Sequence, residues 1–108
     1  MPTYVNIFHL TQKGVENVRK GPERVAAAKR LYQALGGEIK AFYMVMGQYD
    51  AVVISECPDD ETATKAVLAL SSLGYVRSES MRAFTEEEYR KLIESLPSSY
   101  GQSQERPT

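Results

Sequence analysis

Ile39-Lys40-Ala41-Phe42-Tyr43-Met44-Val45-Met46, then Gly47-Gln48-Tyr49-Asp50, then Ala51-Val52-Val53-Ile54-Ser55-Glu56-Cys57: two apolar runs meet across four turn residues near the middle of the chain. Runs rich in β-branched and aromatic residues favour strands. Glycine supplies positive φ in a turn, and aspartate there bonds nearby backbone amides. The connection is too short for a crossover helix. Residues 39–46 and 49–57 are therefore expected to be antiparallel neighbours joined by a tight turn near Gly47-Gln48. Period two puts Ile39, Ala41, Tyr43 and Val45 on one face, and Lys40, Phe42, Met44 and Met46 on the other. In the second of these strands Asp50, Val52, Ile54 and Glu56 share a face, with Ala51 and Val53 opposite.

The two halves of the chain on either side of this hairpin resemble each other. Residues 4–10 read as a first strand, apolar on both faces and so central in its sheet. Val5, Ile7 and His9 alternate there with Tyr4, Asn6, Phe8 and Leu10. Thr11 can cap a short helix through Val15 and Val18, which Gly21-Pro22 interrupts. Pro22 suits the first turn of a second helix, with Val25, Ala28, Leu31, Tyr32 and Leu35 as its buried stripe and Gly36-Gly37 as its stop. After the hairpin, Pro58-Asp59-Asp60-Glu61 reads as a capped helix start. Ala63, Ala66, Val67, Leu70 and Leu73 are its expected buried stripe. Gly74 ends it, and residues 75–84 form a more polar fourth strand. Thr85 and Glu88 then make a capping box for a last helix through Tyr89, Leu92 and Ile93.

The order strand-helix-strand, turn, strand-helix-strand, helix predicts an α+β, ferredoxin-like βαββαβ fold with an additional C-terminal helix. Strands one and three are expected at the centre and both long helices on one face. Residues 1–96 make one domain, and residues 97–108 read as a flexible tail with too little apolar surface to fold alone.

The 108 residues suit a single domain, with 43% hydrophobic and 25% charged residues. A net charge of -1 gives no basic field for nucleic acid or anionic membrane. One cysteine, Cys57, rules out an internal disulfide and fits a reducing compartment. There is no signal-peptide pattern and no run near the roughly 20 apolar residues of a membrane span. A cytoplasmic location is expected. Both sheet faces are too apolar to leave either in water, so a second copy is expected to cover the face without helices and make a dimeric α/β barrel. In the alternative, the last helix folds over that face of its own chain.

Gly47-Gln48-Tyr49-Asp50 followed by Ala51-Val52-Val53-Ile54, the helix entry Glu56-Cys57-Pro58-Asp59-Asp60-Glu61, and Leu73-Gly74-Tyr75-Val76-Arg77-Ser78-Glu79 together resemble the GYD-domain family. Arg82-Ala83-Phe84-Thr85 with Glu88-Tyr89, Gly21-Pro22-Glu23-Arg24 and Leu35-Gly36-Gly37 also fit. The resemblance covers about residues 3 to 94. It implies a small bacterial protein forming a homodimeric ferredoxin-like barrel, and implies no particular reaction. Gln48, Cys57 and His9 depart mildly from the family pattern.

His9, Tyr43, Tyr49, Asp50, Arg77 and Arg82 are the candidate ligand-binding residues. Two readings of the turn compete: Asp50 as a base or ligand-orienting group at a cavity mouth, or Asp50 as a hairpin residue bonded to backbone. His9 is either a proton carrier beside Tyr43 or a hydrogen-bonded strand histidine. Tyr4, Tyr43 and Tyr49 could line a pocket or a dimer interface. Glu56 is expected to pair with Arg77 or Arg82. Asp50 and Glu56 lie about 20 Å apart along a strand, too far for a paired-carboxylate mechanism. Cys57 precedes a helix start, which could lower its pKa, but it lacks a resolving partner and reads as structural. No metal-ligand spacing and no cofactor motif is present, so neither a metal nor a cofactor is expected, and the catalytic residues are unassigned.

Three functions remain. The chain is a homodimer binding a small molecule in a barrel pocket, a small cofactor-independent enzyme of monooxygenase or isomerase type, or an assembly module building higher homo-oligomers. Only the fold supports the second.

Overall fold

The computed structural model describes residues 1–97. The expected tail, apart from Pro97, lies outside the described residues. Four strands, β1 (Thr3–Leu10), β2 (Glu38–Met44), β3 (Ala51–Glu56) and β4 (Val76–Ala83), form one sheet in the order β2-β3-β1-β4. Every neighbouring pair is antiparallel. The helices are α1 (Gln12–Glu16), α2 (Gly21–Ala34), α3 (Asp60–Ser72) and α4 (Glu86–Glu94), with a 3-10 turn at Val18–Lys20 between the first two. This is the α+β, ferredoxin-like arrangement, and β1 and β3 occupy its centre.

Local chemistry accounts for the boundaries. The Thr11 hydroxyl accepts the Gly14 amide at the start of α1, and Pro22 lies in the first turn of α2. The Asp59 carboxylate accepts the Thr62 amide at 2.8 Å, which holds its pKa below the usual carboxylate value. At α4 the capping box is complete: Thr85 Oγ1 accepts the Glu88 amide at 3.1 Å, and Glu88 Oε1 accepts the Thr85 amide at 2.8 Å. α1 comes so close to the connection between α3 and β4 that a Cβ on Gly14 would overlap the Tyr75 carbonyl oxygen.

The core lies between the sheet and α2 and α3. Tyr4, Tyr32, Cys57, Ala63 and Ala66 form it, with Leu35, Ile39 and Leu70 packed against them. Two small residues on α3, Ala63 and Ala66, leave room for the two tyrosine rings. Asn6 and Ser55 are buried in the same layer. Ser55 Oγ donates to Asn6 Oδ1 at 2.8 Å, and Asn6 Nδ2 donates to Ser80 Oγ at 2.7 Å. Each bond removes the roughly 1–3 kcal/mol cost of a buried unpaired polar group.

Four expectations change. Ile39 does not share a face with Ala41 and Tyr43. A β-bulge inserts Lys40, so that Ile39 opposes Ser55 while Ala41 opposes Ile54; the extra residue turns Ile39 toward the core. Leu73 is 56% exposed, because α3 ends at Ser72 before it completes the stripe. The short helix expected through Val15 and Val18 ends at Glu16, and Val18 opens a separate 3-10 turn. The β2–β3 connection is longer than a two-residue turn: Val45 N–H still donates to the Asp50 carbonyl at 3.0 Å, leaving residues 46–49 to reverse the chain.

The sheet face away from α2 and α3 carries the row Ala41, Ile54, Val5, Met81 and the row Tyr43, Val52, Ile7, Glu79. α4 does not cover it. Its own apolar stripe, Tyr89, Leu92, Ile93 and Leu96, is about half exposed or more. No helix among the described residues is long and apolar enough to cross a membrane.

Candidate functional site

The candidate residues divide between two places. Gly47, at φ 108°, lets the chain reverse so that Asp50 meets the end of β1. The Asp50 amide donates to the Phe8 carbonyl at 2.9 Å. Its Oδ2 accepts the Leu10 amide at 2.8 Å, which extends the β1–β3 ladder by one rung through a side chain. The carboxylate is thus held by backbone. The His9 ring packs on Tyr49 with centroids 4.9 Å apart and planes at 51°, and Arg77 stands across from His9 on β4. His9, Tyr49, Asp50 and Arg77 therefore gather at one end of the sheet. Tyr43 lies one row away, beside Val52, and is 61% exposed. It is not the immediate neighbour of His9.

Arg82 is elsewhere. It opposes Tyr4 on β1, on the helix-covered face, roughly 17 Å along β4 from Arg77. Its guanidinium carbon lies 4.5 Å from the Phe84 ring centroid and 5.9 Å from that of Tyr4, and Nη1 donates to the carbonyls of Thr3 and Ala83. The expected pairing of Glu56 with Arg77 or Arg82 does not form. β1 separates β3 from β4, and the register puts Glu56 beside Thr3 and Glu38. Among the described residues the ion pairs are Lys40–Glu38, Arg90–Glu86 and Lys91–Glu87, all exposed and each worth little.

Around Arg82, α3 and β4 leave a groove of about 290 Å³. Tyr4 reaches into it and donates its hydroxyl to Asp60 Oδ1 at 2.5 Å. Burial, then this bond to a carboxylate, pushes the Tyr4 pKa up to about 12. No sequence pattern announces the pair. The two residues are 56 positions apart, and Asp60 reads from sequence as a first-turn acid. Similarly unannounced is the Tyr75 ring, which has Lys13 Nζ at 4.5 Å and the Arg24 guanidinium carbon at 4.4 Å. Cys57 is buried, and burial, with Asp59 nearby, raises its pKa, the opposite of a thiolate activated by a helix start. Among the described residues no three His, Cys, Asp or Glu side chains cluster as metal ligands.

The GYD domain, as a family model, matches residues 4–93. The chain belongs to the GYD-domain family. A curated relative is 36% identical over 84 residues, spanning 77% of this chain and 88% of its own length. It is named the glutamine synthetase and cystathionine beta-lyase binding protein of Thermus thermophilus. The crystal structure of TTHA0845, also from Thermus thermophilus, superposes with a TM-score of 0.51 at 25% identity, covering 79% of this chain and 95% of that one. In this GYD-domain protein the Gly-x-Tyr-Asp residues themselves tie the hairpin to β1.

Proposed function

We propose that this GYD-domain protein is a non-catalytic homodimer that binds a partner protein, and that it does so in the cytoplasm. The open sheet face carries the reading. Val5, Ile7, Val52, Ile54, Ala41 and Met81 make a contiguous apolar surface, and α4 leaves it bare. Such a surface marks an interface, and a two-fold axis through it makes the patch its own complement. The turn residues read as structural: Asp50 Oδ2 accepts a backbone amide, and the His9 ring packs at 51° against Tyr49.

The partner class comes from the curated relative, whose name records binding to two enzymes. By that similarity, an enzyme of nitrogen or sulfur amino-acid metabolism is the expected partner here. The experiment immobilises the purified protein and titrates glutamine synthetase and cystathionine β-lyase from the same genome, read by interferometry. Binding of either with a Kd of about 10 μM or tighter is expected. No response from either enzyme at about 100 μM refutes the partner.

A further inference from the structure

The groove between α3 and β4 is lined by two opposite charges, Asp60 and Arg82, and by apolar side chains of α3. Asp60 sits at the hydroxyl tip of Tyr4, and the Arg82 guanidinium carbon is 5.9 Å from that ring's centroid and 4.5 Å from that of Phe84. Both charged groups line the same groove as Tyr4. They do not pair with each other, and neither pairs with another charged residue among the described residues. The Tyr4 hydroxyl fixes one oxygen of Asp60, and the carbonyls of Thr3 and Ala83 fix one nitrogen of Arg82. Each charged group is thus oriented without being neutralised. Ala63, Val67 and Leu68 of α3 supply the apolar wall, and Leu68 is 63% exposed. At about 290 Å³ the space is at the lower end for organic ligands.

We propose that this groove binds a small zwitterion, a free α-amino acid. Its carboxylate meets the Arg82 guanidinium, its ammonium meets Asp60, and its side chain lies along Val67 and Leu68. An anion alone would leave Asp60 unmatched, and a cation alone would leave Arg82 unmatched; a molecule carrying both charges satisfies both. The groove is on the helix-covered side of the sheet, so the site stands whether or not the open face dimerises. Because the groove is open to solvent, a weak Kd, near 1 mM, is expected.

The test follows backbone amide shifts of the full chain during titration with L-leucine, with 4-methylpentanoate, which keeps the carboxylate and side chain, and with isopentylamine, which keeps the amine and side chain. The proposal expects saturable shifts at Ala63, Thr64 and Ser80 with L-leucine. Both half-molecules should bind at least about tenfold more weakly, as should leucine to Arg82→Gln and Asp60→Asn. It is overturned if about 50 mM L-leucine moves none of these amides, or if either half-molecule matches leucine. Unchanged affinity in both variants also overturns it. Should a variant fail to fold, the comparison of the three ligands on the unaltered protein decides alone.

Discussion

Ile54→Lys places a charge at the middle of the open sheet face, flanked by Val5 on β1 and Ala41 on β2. In a single subunit the change is mild, because that face is open and a lysine stem can lift its ammonium into water. In a face-to-face dimer it is severe. Each copy loses roughly 1.5 kcal/mol of isoleucine burial and gains an unpaired buried ammonium costing about 3–5 kcal/mol. The two-fold axis doubles the sum to about 10 kcal/mol, against the roughly 8 kcal/mol that holds a micromolar dimer. Light scattering at about 100 μM, a hundredfold over such a Kd, should give the unaltered protein twice the 12.1 kDa chain mass. Ile54→Lys should run as one chain. Leu73→Lys, an equally apolar but exposed position at the end of α3, should stay dimeric. A variant that keeps the doubled mass, or an unaltered protein of single mass, refutes the placement of the interface on this face.

Asp50→Ala leaves the Leu10 amide without its acceptor, so urea unfolding should show a loss of about 1–3 kcal/mol; an unchanged midpoint would show that water replaces the carboxylate at no cost. Gly14→Ala drives a Cβ into the Tyr75 carbonyl and should destabilise by about 2 kcal/mol or more, as overpacking does; a thermal melt within about 1 °C of the parent refutes the close approach. Thr85→Ala removes the cap of α4 and should cost that helix about 1 kcal/mol, read as faster hydrogen exchange at residues 88–91 and not in β1. The Tyr4 pKa raised to about 12 means that above pH 10 the unfolded chain gives up this proton while the folded one keeps it. Stability is therefore undiminished below about pH 10 and falls by about 1.4 kcal/mol per pH unit up to about pH 12. Tyr4→Phe should lack that increment of the alkaline slope, and equal slopes would refute it.

The element order is legible in the sequence because each signal is local. Thr85 with Glu88, Asp59 before α3 and Gly47 in the hairpin act on amides within a few residues, and their chemistry can be read from spacing alone. Sequence reading fails where position depends on strand pairing. Strict alternation puts Ile39 on the wrong face because a bulge at Lys40 is a property of two strands in register. The Glu56 pairing with Arg77 or Arg82 fails because β1 lies between their strands, and because Arg77 and Arg82, five residues apart, necessarily point to opposite faces of β4. Grouping Arg77 and Arg82 in one candidate set therefore contradicts the alternation that holds along β4.

That contradiction shows how the two faces divide their work. Arg77, Glu79 and Met81 face the open side, where apolar rows suit another surface. Ser80 and Arg82 face the helices, where Asn6 and Ser55 already require polar partners and Tyr4 brings Asp60 into reach. A buried polar layer is tolerated only when its members are satisfied, and this one is satisfied through Ser80 at the rim of the groove. The groove is thus the solvent-facing end of the hydrogen-bond chain that begins at Ser55. Ser80→Ala tests that continuity: it removes the acceptor of Asn6 Nδ2, and unfolding should show a loss of about 1–3 kcal/mol. If stability is unchanged while the groove still binds its ligand, core and groove are independent, and the polar layer exists for packing alone.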